Sequence, residues 1–181
     1  TSENNLRGLC MSDAFKSVCA ITIGIVLGMF ITLNSDVAYG TPLSNQDVCL
    51  AKNIYHEARN QDTLGKIAVG LVTLNRVKDN RFPDTICKVV FDSQKGINNQ
   101  PKRHKCQFSW YCDGRSDRIY EKDAYNKILE LLPAIYFLGS NPVLDLTKVA
   151  THYHTYRVAP RWAGKLERIA QIDDHIFYRW N

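Results

Sequence analysis

The chain has 181 residues, of which 45% are hydrophobic, and its 23 basic and 18 acidic side chains give a net charge of +5 at pH 7. Residues 41–181 are enough for one compact domain and too few for two. This part carries a net charge of +6, because residues 1–40 hold only two of the basic and three of the acidic side chains. The surplus favours an anionic polymer as partner, either nucleic acid or the bacterial envelope.

The N-terminal 40 residues have the order of a secretory signal. Lys16 precedes an uncharged apolar run over residues 18–33, and Ala38-Tyr39-Gly40 places small residues where a signal peptidase recognises its substrate. The run is shorter than the ~20 residues of a transmembrane helix. We therefore predict a cleaved signal peptide, with a retained signal anchor as the alternative. Because the chain does not begin with Met, residues 1–10 can be upstream sequence.

Export decides between the two classes of anionic partner. An exported protein meets the envelope and not nucleic acid, so we predict a periplasmic or cell wall location. Membrane contact is expected only through residues 18–33, if this segment is not cleaved. The sequence is compatible with a bacterial remodelling enzyme and with a phage lysin that residues 18–33 hold until release.

Four cysteines in residues 41–181 agree with export, because an exported domain with four thiols is expected to hold two disulfides. Three connectivities are possible. We favour a short loop between Cys106 and Cys112, which flank an apolar segment, and a link from Cys49 to Cys87. The spacings lack the paired short steps of a zinc knuckle.

Two helices are predicted over residues 45–78. Ser44 and Asp47 form a capping-box pattern for the first, and Asp62 or Thr63 can cap the second. The second is apolar over most of its length, which predicts a buried central helix. The apolar positions recur at three- and four-residue steps: Val48, Ala51, Ile54, Tyr55 and Ala58 in the first helix, and Leu64, Ile67, Ala68, Leu71, Val72 and Asn75 in the second.

Glu57 lies about 120° from the middle of the first apolar stripe, at the border of core and solvent. Partial burial there would raise its pKa and suit it to hold a proton near neutral pH. The plainer interpretation is a salt bridge with Arg59 or Lys52. Asn75 and Arg76 are polar residues at positions where the apolar pattern of the second helix predicts core residues. We predict that they form a hydrogen-bonding pair at the end of this helix.

The middle of the chain is less regular. A turn at residues 81–84 precedes a short helix that ends near Phe91, and residues 92–105 are predicted to form a loop. Residues 106–112 have the pattern of an aromatic strand. Aromatic rings beside Gln and Ser are typical of a sugar-binding groove, although a core strand has the same pattern. A third long helix is predicted over residues 120–138.

The last third predicts short antiparallel strands, because residues 149–156 alternate between two faces. Two further strands over residues 166–172 and 175–180 are joined at Asp173-Asp174. The whole is an α+β plan, mainly helical, with its strands towards the C-terminus.

Two histidines on one strand face, His152 and His154, are candidate metal ligands. A third ligand would have to be His56, His104 or His175, and the segment after His56 is not the zinc-binding H-E-x-x-H pattern. We therefore predict no metal site and no cofactor.

The motifs, taken in order, resemble the SleB-like (spore-cortex-lytic) cell wall hydrolases. The similarity runs from about Cys49 to Tyr178. It is carried by residues 55–59 (Tyr-His-Glu-Ala-Arg), 65–69, 75–77, 82–87, 89–90, 107–110 (Gln-Phe-Ser-Trp), 152–154 (His-Tyr-His), 160–163 (Pro-Arg-Trp-Ala) and 175–179 (His-Ile-Phe-Tyr-Arg).

This resemblance implies a lysozyme-like domain that cleaves peptidoglycan between N-acetylmuramic acid and N-acetylglucosamine, with Glu57 as catalytic acid. We expect a monomer with substrate contacts along the motifs, at Gln107, Phe108, Ser109, Trp110, Tyr153, His154 and Tyr178.

Glycosidic hydrolysis ordinarily uses a second carboxylate. Asp62, Asp92, Asp113 and Asp117 all lie in predicted turns, which favours a lytic transglycosylase, in which one Glu acts as acid and then as base. Two alternatives remain: a zinc-dependent amidase or peptidase that uses histidines with Glu57 as base, and an envelope-binding module without catalysis.

Overall fold

The structure is a computed structural model that describes residues 42–180, so the predicted signal segment lies outside the described residues. Among the described residues no helix is both long and apolar enough to cross a membrane. The helices are α1 (Asn45–Ala58), α2 (Thr63–Lys78), α3 (Ile86–Val90) and α4 (Lys122–Ser140), with 3₁₀ helices at Ser109–Cys112 and Ala163–Lys165. The strands are β1 (Ser93–Lys95), β2 (Pro101–Cys106), β3 (His152–Thr155), β4 (Glu167–Ile172) and β5 (His175–Arg179).

Helix α1 begins with the predicted capping box. The Asp47 backbone N–H donates to Ser44 Oγ at 3.2 Å, and the Ser44 N–H donates to Asp47 Oδ2 at 2.9 Å. Two of the first-turn N–H groups are thereby satisfied. Tyr136 Oη also donates to Asp47 Oδ1 at 2.7 Å, which ties the start of α1 to α4.

Helix α2 is the buried centre of the domain, as predicted. From Gly65 to Arg76 every residue except Lys66 is buried. A Cβ added at Gly70 would lie 3.0 Å from Ile135 and 3.1 Å from Ile54, so the glycine lets α1 and α4 approach α2 closely. The assignment of Val48 and Leu64 to apolar stripes was wrong, because both side chains are exposed.

The α+β plan is confirmed. Strands β3, β5 and β4 form an antiparallel sheet in that order, with β4 and β5 joined at Asp173 and Asp174. Phe177 of the central strand is fully buried against Ala68 and Val72 of α2. Burying such a side chain stabilises the fold by about 1.5–3 kcal/mol. Helix α2 therefore packs on α1 and α4 with one side and on the sheet with the other.

Residues 92–112 differ from the prediction. Strands β1 and β2 form a hairpin where a loop was expected, and Ser109–Cys112 is a 3₁₀ helix where a strand was expected. The Cys106–Cys112 disulfide explains the second difference, because its Cα atoms are 6.1 Å apart. Six extended residues would span about 20 Å, so this disulfide excludes a strand between its cysteines.

Both disulfides have the connectivity that the sequence favoured. The second bridge joins Cys49 of α1 to Cys87 of α3 with a Cα–Cα distance of 5.3 Å. It closes a loop that contains all of α2 and holds α3 against the start of α1.

Candidate active site

Glu57 lies in the last turn of α1, half-buried, where the sheet meets the helices. Its Oε2 accepts a hydrogen bond of 3.0 Å from the Tyr153 hydroxyl. Its Oε1 has no hydrogen-bond partner among the described residues and is not fully enclosed, so it keeps access to solvent. Burial raises the pKa of Glu57 above its ordinary value of 4.5, against the opposing effects of the Tyr153 hydrogen bond and the Arg76 charge.

Tyr153 reaches Glu57 from β3, a strand distant in the sequence. Its ring packs edge-on against His175, with 5.0 Å between ring centroids, and at 5.7 Å from Phe177. Burial and the nearby Glu57 carboxylate raise the pKa of Tyr153 well above 10, so the phenol is neutral and donates its proton. Tyr153 was predicted to bind substrate, and in the structure its hydroxyl is bonded to the candidate catalytic group.

Arg76 is a buried cation whose charge acts on Glu57. The residue is 6% exposed, and its Nε donates to the Thr151 carbonyl at 2.7 Å. Its guanidinium lies over the rings of Phe82 and Phe108, at 5.4 and 4.9 Å from their centroids. Burial lowers the pKa of Arg76, but an arginine keeps its proton in proteins.

The Nη1 atom of Arg76 is buried without a hydrogen-bond partner among the described residues. A buried donor of this kind is costly unless a partner satisfies it. The sequence analysis identified Arg76 only as half of a helix-end pair and missed the effect of its charge on Glu57. Its signal in the sequence was a charged residue on the buried side of an apolar helix.

Asn75 is the hydrogen-bonding residue that was predicted. Its Nδ2 donates to Asp145 Oδ2 at 2.7 Å and to the Ala150 carbonyl at 3.1 Å. Asp145 also accepts from the Thr147 and Val149 backbone N–H groups, at 2.7 and 2.9 Å. This buried network fixes the loop that leads into β3 and so determines where Tyr153 lies.

Phe108 and Trp110 do not form an open groove, which corrects that prediction. They are 3% and 8% exposed and belong to the main core. Trp110 Nε1 donates to Asn53 Oδ1 at 3.0 Å, and its ring stacks on His56 with centroids 4.4 Å apart. Phe108 lies under the guanidinium of Arg76. Both rings therefore belong to the core on which the candidate active site is built.

Gln107 and Ser109 are more accessible than their neighbours. Gln107 is half-buried and lines a depression of ≈ 430 Å³ together with Asp92 and Lys105. Ser109 is exposed. No hydrogen bond between described residues links either side chain to Glu57.

His154 and Tyr178 lie on the opposite face of the sheet from Tyr153. His154 Nδ1 lies 2.8 Å from the Thr155 carbonyl, which can only accept, so Nδ1 carries the proton. His154 Nε2 is hydrogen-bonded to the Tyr178 hydroxyl at 2.9 Å. Both rings contact Trp162, with centroids 5.5 Å away. The structure therefore separates these two predicted substrate residues from Tyr153.

The histidines do not assemble a metal site. Among residues 42–180 no three His, Cys, Asp or Glu side chains come together to hold an ion. His152 contacts Phe82 and Trp162, and burial together with the charges of Arg76 and Arg81 lowers its pKa to about 4. The other three candidate ligands lie apart from one another. The His56 ring stacks on Trp110, the His175 ring packs on Tyr153, and His104 is exposed on β2.

Of the four aspartates considered as a second carboxylate, Asp92 is the one whose charge acts on Arg76. It is exposed and follows α3. Asp62 is the N-cap residue of α2. Asp113 and Asp117 line a separate depression with His56.

Comparisons with known proteins agree on one family. A family model described as Cell Wall Hydrolase matches residues 60–178. A spore cortex-lytic enzyme of Bacillus cereus is 42% identical over 136 residues, which is 74% of this chain and 44% of the relative. The spore cortex-lytic enzyme of Halalkalibacterium halodurans is 28% identical over 136 residues, 74% of this chain and 35% of that protein. The chain thus spans less than half the length of these curated relatives.

Two solved structures are similar over most of the chain. The catalytic domain of the Bacillus cereus SleB protein has a TM-score of 0.54 at 26% identity, covering 81% of this chain and 99% of that one. The catalytic domain of the germination-specific lytic transglycosylase SleB from Bacillus anthracis has a TM-score of 0.55 at 28% identity, covering 77% and 100%. The family-model match begins at residue 60, so Glu57 lies outside it. The matches over residues 60–178 and to both SleB domains place this chain in the cell wall hydrolase family of the SleB type.

Proposed function

We propose that this chain cleaves the glycan strands of peptidoglycan between N-acetylmuramic acid and N-acetylglucosamine, as a lytic transglycosylase with Glu57 as acid and base. Membership of the cell wall hydrolase family supports peptidoglycan as the substrate. The Bacillus anthracis structure to which the chain is similar is named as a lytic transglycosylase. The same proposal includes export to the periplasm or cell wall and a monomeric state. Residues 18–33 hold the protein at the membrane if they are not cleaved.

The observation that carries the proposal is the environment of Glu57. Burial raises its pKa, so the carboxyl can hold a proton near neutral pH. One oxygen is fixed by the Tyr153 hydroxyl, and the other keeps access to solvent. A carboxyl held in this way has a defined orientation and one oxygen free to face a glycosidic bond.

In the first step, Glu57 gives its proton to the glycosidic oxygen. The bond between this oxygen and C1 of the muramic acid breaks, and positive charge develops on the sugar ring. Glu57 is now an anion, which the Tyr153 hydrogen bond and the Arg76 charge stabilise.

In the second step, the 6-hydroxyl oxygen of the same muramic acid bonds to C1. Glu57 takes the hydroxyl proton and returns to its starting state, and the product carries a 1,6-anhydro ring. No water is consumed and no second carboxylate is required. The groups of the described residues that shift the pKa of Glu57 are Tyr153 and Arg76 and include no carboxylate, which favours this route over hydrolysis.

The test compares Glu57→Gln with the unmutated protein on purified peptidoglycan. General acid catalysis is worth about 10²–10⁴ in rate, so release of muropeptides should fall at least 100-fold. Glu130→Gln, the same change at an exposed position of α4, is the matched control and should keep full activity. Mass spectrometry should find 1,6-anhydromuramic acid ends on the products of the unmutated protein.

Other products would assign another reaction. Reducing ends would mean that water attacks C1 and that the enzyme is a hydrolase. New amino groups with intact glycan strands, together with loss of activity on chelation, would indicate the zinc amidase alternative. Binding without any release of muropeptides would indicate a non-catalytic module.

A further inference from the structure

A depression of ≈ 310 Å³ lies beside the C-terminal end of β5, apart from the groups used in catalysis. Its lining includes Arg81, Val149, Thr151 and Trp180. Trp180 leaves 46% of its surface exposed. It also lies beyond the residues that the family model matches, which end at 178.

One wall of this depression is held in an unusual backbone conformation. Val149 has φ 60° and its neighbour Lys148 has φ 48°, a region that a β-branched residue rarely adopts. The buried Asp145 carboxylate accepts the Val149 N–H, and the Asp145 carbonyl accepts the Lys148 N–H, both at 2.9 Å. Backbone strain of this kind persists only where the surroundings enforce it, and it clusters at binding and catalytic sites.

Another part of the lining is the Trp180 ring with the Arg81 guanidinium on it. The Arg81 guanidinium carbon lies 5.0 Å from the centroid of the Trp180 ring. Asp79 accepts two hydrogen bonds from Arg81 Nε, at 2.8 and 3.2 Å, and one from Nη2. Arg81 Nη1 donates to no described residue, and the side chain is half-exposed. An aromatic face of this kind stacks on the apolar face of a sugar, and a free guanidinium edge binds a carboxylate.

Aromatic rings connect this depression with the candidate active site. Trp180 contacts His152 at 5.6 Å between centroids, and His152 contacts Phe82 at 6.0 Å. Phe82 in turn lies under Arg76, whose charge acts on Glu57. These packed side chains form one continuous series of contacts between Trp180 and the candidate active site.

We infer that Trp180 and Arg81 form an additional subsite for the glycan strand, remote from the bond that is cleaved. The indole stacks on a sugar ring, and Arg81 binds the lactyl carboxylate of a muramic acid unit that carries no stem peptide, because attachment of the peptide converts this carboxylate to an amide. This inference rests on the proposed function, because it takes peptidoglycan as the substrate. It adds two residues for which the family comparison and the sequence motifs give no role.

The first experiment measures binding without turnover. Glycan strands freed of their peptides are titrated into the full chain carrying Glu57→Gln, with and without Trp180→Ala. Loss of one stacking ring should raise the dissociation constant about tenfold. Phe137→Ala is the matched control, because Phe137 is an aromatic residue with 66% exposure that lines none of the described depressions. It should leave the dissociation constant unchanged.

Two further variants distinguish a requirement for a flat aromatic ring from a requirement for any large apolar side chain. Trp180→Phe should restore most of the affinity, and Trp180→Leu should not. If Trp180→Ala does not fold, as judged by circular dichroism, this pair decides the question alone. Equal affinity of Trp180→Leu, Trp180→Phe and the parent would overturn the subsite.

The role of Arg81 is tested with a ligand that lacks the carboxylate. Arg81→Gln should weaken binding of the peptide-free strands and leave binding of N-acetylglucosamine oligomers unchanged. An equal effect on both ligands would overturn the assignment of the lactyl carboxylate to Arg81.

Failure of this inference can be told apart from failure of the proposed function. If Glu57→Gln abolishes muropeptide release while Trp180→Ala and Phe137→Ala bind strands equally well, the catalytic proposal stands and the subsite is refuted. If Glu57→Gln retains full activity, the catalytic proposal fails, whatever the binding data show.

Discussion

Tyr153→Phe is the sharpest test of how the candidate site works, because it removes one hydroxyl and leaves the ring in place. The ring packs on His175 and Phe177, and phenylalanine can keep both contacts. The hydroxyl is bonded to Glu57 Oε2. The substitution therefore changes the environment of the proposed catalytic carboxyl with little change in packing.

The size of the effect follows from the hydrogen bond that is lost. A hydrogen bond to a charged group is worth about 1.5–3 kcal/mol, and one pKa unit corresponds to about 1.36 kcal/mol. The protonated carboxyl also accepts from the phenol, so part of this energy cancels between the two states. The Tyr153 bond lowers the pKa of Glu57. Its loss should therefore raise that pKa further, by about 1 unit.

The measurement is the pH dependence of kcat/KM for muropeptide release. Glu57 must be protonated to act as acid, so the rate falls on the alkaline side as the carboxyl ionises. In Tyr153→Phe this alkaline limb should move to higher pH by about 1 unit. Tyr156→Phe, at an exposed position just after β3, is the matched control and should leave the limb unmoved.

A different outcome would refute the reasoning. If Tyr153→Phe raises KM and leaves the alkaline limb where it is, the hydroxyl acts on the substrate and not on Glu57. That result would support the role that the family resemblance implied for this residue.

Three further predictions follow from the same structure. Burial raises the pKa of Glu57, so ionisation of this carboxyl destabilises the folded state. The free energy of unfolding of Glu57→Gln, relative to that of the unmutated protein, should therefore increase as pH rises above about 4.5 and then level off. Chemical denaturation at a series of pH values measures this difference. Asp92→Asn should keep muropeptide release within a few-fold, and a 100-fold loss would identify Asp92 as a second carboxylate. Replacing Cys49 and Cys87 with serine should destabilise the domain by about 4 kcal/mol, and replacing Cys106 and Cys112 by about 2 kcal/mol. The first disulfide closes the longer loop and therefore restricts the unfolded chain more. Equal losses in the two variants would contradict this.

Local patterns in the sequence were sufficient to predict the helices and the C-terminal strands. The Ser44 capping box and the apolar length of α2 depend on neighbouring residues, and both are present in the structure. The turn at Asp173 and Asp174 likewise depends only on neighbouring residues. The border position of Glu57 also followed from helical periodicity alone.

The aromatic segment shows where local patterns are insufficient. A groove and a core have the same residue types, and what decides between them for Trp110 is a hydrogen bond to Asn53, which lies 57 residues earlier. The 3₁₀ helix likewise depends on the bridge between Cys106 and Cys112. Neither contact has a signal in the residues that surround Trp110.

The environment of Glu57, the proposed catalytic acid, is assembled by the last turn of α2. Asn75 binds the Ala150 carbonyl and Arg76 binds the Thr151 carbonyl, so two successive side chains hold the entry to β3. That entry fixes Tyr153, whose hydroxyl orients the carboxyl 96 residues earlier in the sequence. The pattern of the helix that carries Glu57 is local in the sequence, but the raised pKa and the fixed orientation require the sheet to be packed on α2. The proposed acid catalysis therefore depends on the contact between helices and sheet, and Arg76 contributes to both because it binds the strand and its charge acts on Glu57.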